Sequence, residues 1–144
     1  MSTKTGDSNW KEIQEMVDSG YMGSHLTKED FEHDCINAEL NGFEVVVREP
    51  NQLLLDLDTM EQVKQYEKYA SNFEPLVRSE LSRWDSKDGG LHVIVELFGD
   101  ISPLEAIAIQ AMLGSDPMRE FLNLIRLHQG VEEPSRLFKP GRVI

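Results

Sequence analysis

The chain has 144 residues, 40% of them hydrophobic, and 14 Lys+Arg against 26 Asp+Glu give it a formal charge of −12. That length suits one domain, the apolar content is too high for a disordered chain, and no apolar run approaches the ~20 residues that cross a bilayer. A single cysteine, Cys35, excludes an internal disulfide and a multi-cysteine zinc site.

The excess of acid argues against a nucleic-acid coat protein, which needs a basic face. The charge is unevenly spread, however. Residues 1–76 hold 6 basic and 16 acidic residues, whereas residues 77–144 hold 8 and 10, and every arginine except Arg48 lies in that second half. An anion site is therefore expected there. The first ten residues, MSTKTGDSNW, lack the apolar stretch of a secretory signal, so the expectation is a cytoplasmic chain that does not engage a membrane.

Residues 1–8 read as a disordered tail. Trp10, Ile13, Met16 and Val17 recur at helical spacing, and Ser19-Gly20 ends that helix. Thr27-Lys28-Glu29-Asp30 resembles a capping box and opens a second helix through Phe31, Cys35 and Ala38, which Asn41-Gly42 stops. Cys35 sits on its apolar stripe as a small core residue. Residues 43–58 then change period: two strands, 43–48 and 53–57, flank the turn chemistry of Glu49-Pro50-Asn51-Gln52 and predict a β-hairpin.

A helix follows, with Asp58 or Thr59 as its cap and Met60, Val63, Tyr66, Tyr69 and Ala70 on one stripe. Pro75 interrupts residues 71–79, which read as a short helical piece. Residues 81–86 and 91–98 predict another hairpin across Lys87-Asp88-Gly89-Gly90. Ser102-Pro103-Leu104-Glu105 is a capping box with proline at the first helical position, and Asp116-Pro117 opens one more helix up to Gly130. Residues 136–139 form a last short strand. The order predicts an α+β domain whose mainly antiparallel sheet is covered by helices on one side.

Three groups of residues could carry chemistry. In Leu53-Leu54-Leu55-Asp56-Leu57-Asp58, two carboxylates two apart on a strand share one face, about 7 Å apart along the backbone, and supply the hard oxygen ligands a divalent cation takes. Alternatively Asp58 caps the next helix and Asp56 is exposed. In Ser86-Lys87-Asp88-Gly89-Gly90-Leu91-His92, a glycine-rich turn precedes a histidine on a strand, so backbone amides and His92 could hold a phosphate. A hairpin turn before a half-exposed histidine explains the same pattern. In the helix after Asp116, residues Arg119, Asn123 and Arg126 share a face suited to a phosphate chain, or equally to solvent.

Taken in order, D-x-D at Asp56 and Asp58, S-x-x-G-G-x-H from Ser86 to His92, and Asp116 followed by N-x-x-R at Asn123 and Arg126 resemble the three motifs of the archaeo-eukaryotic primase superfamily. The likeness covers residues 43–139, and the compact, acidic sequence is similar to small phage-encoded primase-polymerases. It implies an RRM-like antiparallel sheet, palm-like and covered by helices, in a single domain over 9–144. An N-terminal helical pair (9–41) would precede a catalytic-type core (42–144).

By the same resemblance, Asp56, Asp58 and Asp116 would be catalytic and hold Mg²⁺ or Mn²⁺. Ser86, Lys87, His92, Arg119 and Arg126 would bind a nucleoside triphosphate. The implied activity is metal-dependent nucleotidyl transfer in phage DNA replication. Its implied partners are a single-stranded DNA template and other replication or host proteins. Two further functions stay open on the same residues. One is a non-catalytic protein that binds nucleotide or nucleic acid, or that uses its acidic half to occupy a basic surface of a host protein. The other is a metal-dependent nuclease using the carboxylates with His92.

Overall fold

The computed structural model describes residues 27–85 and 90–141. The tail and first helix expected before residue 27, and the turn residues Ser86 and Lys87, lie outside the described residues. From Thr27 onward the element order follows the sequence reading: α1 (Lys28–Leu40), β1 (Phe43–Val47), β2 (Gln52–Leu57), α2 (Met60–Tyr69), a 3-10 turn (Ala70–Phe73), β3 (Val77–Asp85), β4 (Leu91–Leu97), α3 (Pro103–Met112), α4 (Pro117–His128) and β5 (Arg136–Pro140). The chain is α+β with antiparallel sheets. No helix among the described residues is long and apolar enough to cross a membrane.

The helix starts obey their local chemistry. Thr27, Thr59, Ser102 and Asp116 each accept a hydrogen bond from the backbone N–H three residues on, and Ser102 and Glu105 complete both halves of a capping box. Thr59, rather than Asp58, caps α2, which leaves the Asp58 carboxyl available.

The strand pairing corrects one expectation. Residues 43–58 do not form a hairpin: β1 pairs antiparallel with β5, and β2 pairs with β4 in a three-stranded sheet of order β2-β4-β3. Arg48 supplies the physical reason. Its buried guanidinium donates to the carbonyls of Pro50, Gln52 and Ile101 and pairs with Glu133 at 2.7 Å, while its backbone N–H donates to Ser135. The corner between β1 and β2 is thus satisfied from elsewhere in the chain, and β1 continues along β5. The 91–98 hairpin expectation holds, with β3 beginning earlier, at Val77.

Strands β2 and β3 both run antiparallel to β4, so α2 joins two parallel strands that flank it, a split β-α-β arrangement. One face of this sheet carries Leu53, Leu55, Leu57, Val93, Val95 and Leu97, which pack with Tyr66 of α2 and Ala106 of α3 into the main core. Fully burying each such leucine contributes about 2 kcal/mol. The register places Asp56, His92 and Trp84 side by side across β2, β4 and β3, in alternation with those core residues. A second apolar cluster, Phe31 and Cys35 with Val131 and Val45, seats α1 on β1.

Candidate functional site

Strand β2 has a neighbour on one edge alone, and the backbone groups of the other edge need partners. The junction of α3 and α4 provides them. Leu54 N–H donates to Gln110 Oε1 (2.9 Å) and Asp56 N–H to Ser115 Oγ (3.0 Å), while Leu54 C=O accepts from Arg119 Nη1 (3.2 Å) and Asp56 C=O from Asp116 N–H (2.7 Å). This substitute for a strand draws Asp116 beside Asp56.

A buried carboxylate holds the substitute together. Glu120 Oε1 accepts from Gln110 Nε2 and Asn123 Nδ2, and its Oε2 from Ser115 Oγ and Arg119 Nη1, the last two at 2.6 Å. Arg119 also donates through Nη2 to Arg136 C=O at 3.0 Å, tying β5 to β2. The face of α4 bearing Arg119 and Asn123 therefore turns inward into a network, and it is not a solvated surface; both residues also line a cavity shared with Asp56.

The three aspartates interact. Burial alone would raise the Asp56 carboxyl, but contact with His92 and Asp58 and the charge of Arg119 hold it below the ordinary aspartate range. Asp58 moves the other way: burial, then the side chain and charge of Asp56, then the charge of Asp116 push it up to about 6. The pair therefore holds its last proton on Asp58, losing it around pH 6, and near neutrality both carboxylates are mostly ionised and repel each other. Gln62 links the outer members, accepting from Asp58 N–H (2.7 Å) and donating to Asp116 Oδ1 (3.1 Å). Asp116 Oδ2 caps α4.

His92 Nε2 lies 3.2 Å from Asp56 Oδ1, out of hydrogen-bond alignment, and the Trp84 ring meets the His92 ring edge-on at 5.4 Å. Asp56, His92, Arg119 and Arg126 line one cavity of about 250 Å³, together with Phe31 and Arg136. Asp58 and Asp116 do not line it. Ser86 and Lys87 cannot be placed, being outside the described residues.

Four buried side-chain atoms lack a hydrogen-bond partner among the described residues: Asp56 Oδ1, His92 Nδ1, Trp84 Nε1 and Arg126 Nε. Asp56, His92 and Arg126 belong to the cavity wall, and Trp84 touches His92. Unpaired polar atoms cost about 1–3 kcal/mol each when buried, and here they fall on neighbouring residues. Sequence reasoning missed Phe31, Arg136 and Glu120, which become neighbours of the motif residues through long-range packing. Among the described residues no group of three or more His, Cys, Asp or Glu side chains is arranged as a metal-ligand set. Comparison with protein-family models, curated proteins and solved structures finds no match.

Proposed function

We propose that this chain is a nucleotide-binding, divalent-metal-dependent nucleotidyltransferase of the primase-polymerase type. The observation that carries the reading is that Asp56, His92 and Arg126, each with a buried polar atom lacking a hydrogen bond, line one cavity together with Arg119 and Arg136. A carboxylate that can hold a cation and arginines that can hold phosphate, lining one cavity, suit a triphosphate. The strand order β2-β4-β3, with α2 crossing between parallel strands and the aspartates at the end of β2, agrees with an RRM-like palm.

The residues fit a divalent cation by their chemistry. Asp56 and Asp58 offer hard oxygens, one of them buried and without an aligned hydrogen bond, and their mutual repulsion is what a cation relieves. Asp116 keeps both oxygens in hydrogen bonds and contributes its negative field. Bound there, Mg²⁺ or Mn²⁺ would supply Lewis acidity to an attacking hydroxyl and a departing pyrophosphate. His92 and Arg126 would bind and orient the phosphates. Arg119, matched by Glu120, would act through the placement of Asp56.

The test is primer synthesis on a single-stranded template with Mn²⁺ and nucleoside triphosphates. Extension products are expected, and Asp56→Ala and Asp58→Ala should each abolish them; unchanged synthesis in both variants overturns the assignment.

One observation favours a second reading, a non-catalytic nucleotide-binding protein on the same scaffold: Asp58 and Asp116 do not line the cavity that Arg126 and His92 face. Calorimetry separates the two. Nucleotide affinity that rises with Mn²⁺ supports the enzyme, and affinity indifferent to Mn²⁺ supports the binding protein.

A further inference from the structure

Phe31 of α1, Arg126 of α4 and Arg136 of β5 line the same cavity as Asp56. Both guanidinium carbons lie over the Phe31 ring, 4.2 Å (Arg126) and 4.8 Å (Arg136) from its centroid. Arg136 is further oriented by donating through Nε to Glu133 C=O at 3.1 Å and through Nη1 to Cys35 Sγ at 3.5 Å. The ring and these contacts fix two forks of N–H donors against one apolar plate.

The treatment of charge sets this pair apart. Arg48 is matched by Glu133 at 2.7 Å and Arg119 by Glu120 at 2.6 Å. Arg126 and Arg136 have no ion pair with a carboxylate among the described residues. Burial disfavours ionised Arg126, and so do Arg119 and Arg136, while Cys35 and Asp34, which lines the same cavity, offset only part of this. In a chain of net charge −12, two cations are thus held where each raises the energy of the other. Half-burying two like charges in this way costs the free protein stability that an arriving anion would restore.

We propose that Arg126, Arg136 and Phe31 form a metal-independent phosphate site, which takes the phosphate group of a nucleotide or of a nucleic-acid end. A phosphate monoester carries close to two charges near pH 7 and matches two forks, whereas a carboxylate would leave one unmatched. Pro134, Leu137 and Phe138 complete the wall, so the uncharged remainder of an organic phosphate meets apolar surface. The site uses neither Asp56 nor Asp58 and stands whether or not the chain transfers nucleotides.

Thermal unfolding with EDTA at pH 7.5 tests it, comparing potassium phosphate with potassium chloride at matched ionic strength. Phosphate should raise the midpoint and chloride should not. Arg126→Met should weaken phosphate by about tenfold or more, yet unfold no earlier than the native chain in phosphate-free buffer, because an unmatched buried charge is gone. A merely structural arginine gives the reverse. Arg136→Met should weaken phosphate to a similar degree.

A nucleoside 5′-monophosphate and a 5′-phosphorylated oligonucleotide, each against its dephosphorylated form, identify the source by which binds more tightly. A phosphate response no larger than that of chloride, or one retained in full by Arg126→Met, overturns the site. Asp58→Asn should bind phosphate normally, so loss of primer synthesis in that variant tests the nucleotidyltransferase reading separately.

Discussion

Replacing Asp58 by Asn removes one of the two paired charges while keeping the side chain's shape. The native carboxyl is raised from 3.8 to about 6 by burial and by Asp56 and Asp116. A shift of about two units corresponds to about 3 kcal/mol between protonation states at full value. Asp58 is exposed, so solvent screening reduces the part that reaches stability to about 1 kcal/mol. The amide can still donate to Asp56, and the hydrogen bond from Asp58 N–H to Gln62 involves backbone alone. The metal-free variant should therefore be more stable than the native chain at pH 7.5, by about 3 °C in unfolding midpoint for a domain of this size. Added Mn²⁺ should raise the native midpoint and close the gap, since the variant has lost a ligand. Differential scanning calorimetry with and without 1 mM Mn²⁺ (about that concentration suffices for a site of ordinary affinity) reads both effects. A metal-free variant that is no more stable than the native chain would refute the carboxylate crowding on which the cation site rests.

The same group sets a pH dependence. A carboxyl raised in the folded state disfavours folding as it ionises, so metal-free stability should fall as pH rises from about 4 to 6, and Asp58→Asn should flatten that limb in urea titrations; Asp56, held low, acts below this window. Arg119→Ala should cost about 3–5 kcal/mol in urea unfolding, because it strands the buried Glu120 carboxylate and removes donors from Leu54 and Arg136 carbonyls; a loss under about 1 kcal/mol would show that the network carries little. Gly114→Ala should cost about 2 kcal/mol, since Gly114 has φ +98 and a Cβ there would stand 2.7 Å from the Gln62 carbonyl, and circular dichroism melts would detect it.

Local chemistry was legible in the sequence, and pairing over distance was not. Ser102-Pro103-Leu104-Glu105 and Asp116-Pro117 declare α3 and α4 because caps act within four residues. The turn at Glu49-Pro50-Asn51-Gln52 was equally local, yet it did not make a hairpin. What decided the partners of β1 and β2 was Arg48 meeting Glu133, 85 positions on. One signal did point that way: Leu53-Leu54-Leu55 is apolar on consecutive positions, and all three are fully buried, as in a strand covered on both faces. Within the site, Asp56 and His92 were legible because strand register preserves their side. Arg126 was legible as a cation. Arg136 and Phe31 were not, since nothing in their neighbours says that α1 and β5 meet over α4.

The position of the site follows from how the edge of β2 is closed. A fourth strand there would have met the backbone of Leu54 and Asp56 with backbone alone, bringing no particular side chain to the end of β2. Closing it with a helix junction instead demands polar side chains of fixed reach, which are Gln110, Ser115 and Arg119 here. Those groups need partners of their own, and Glu120 meets all three. The junction also sets Asp116 against Asp56 through a backbone hydrogen bond. A tightly satisfied network on one side of Asp56 thus abuts a cavity where Asp56, His92 and Arg126 each keep an unpartnered atom. That contrast separates the residues that build the site from those left to meet a ligand. The acidity of the chain is compatible with it, because the network neutralises Arg119 internally and leaves Arg126 and Arg136 as the charges presented to an anion.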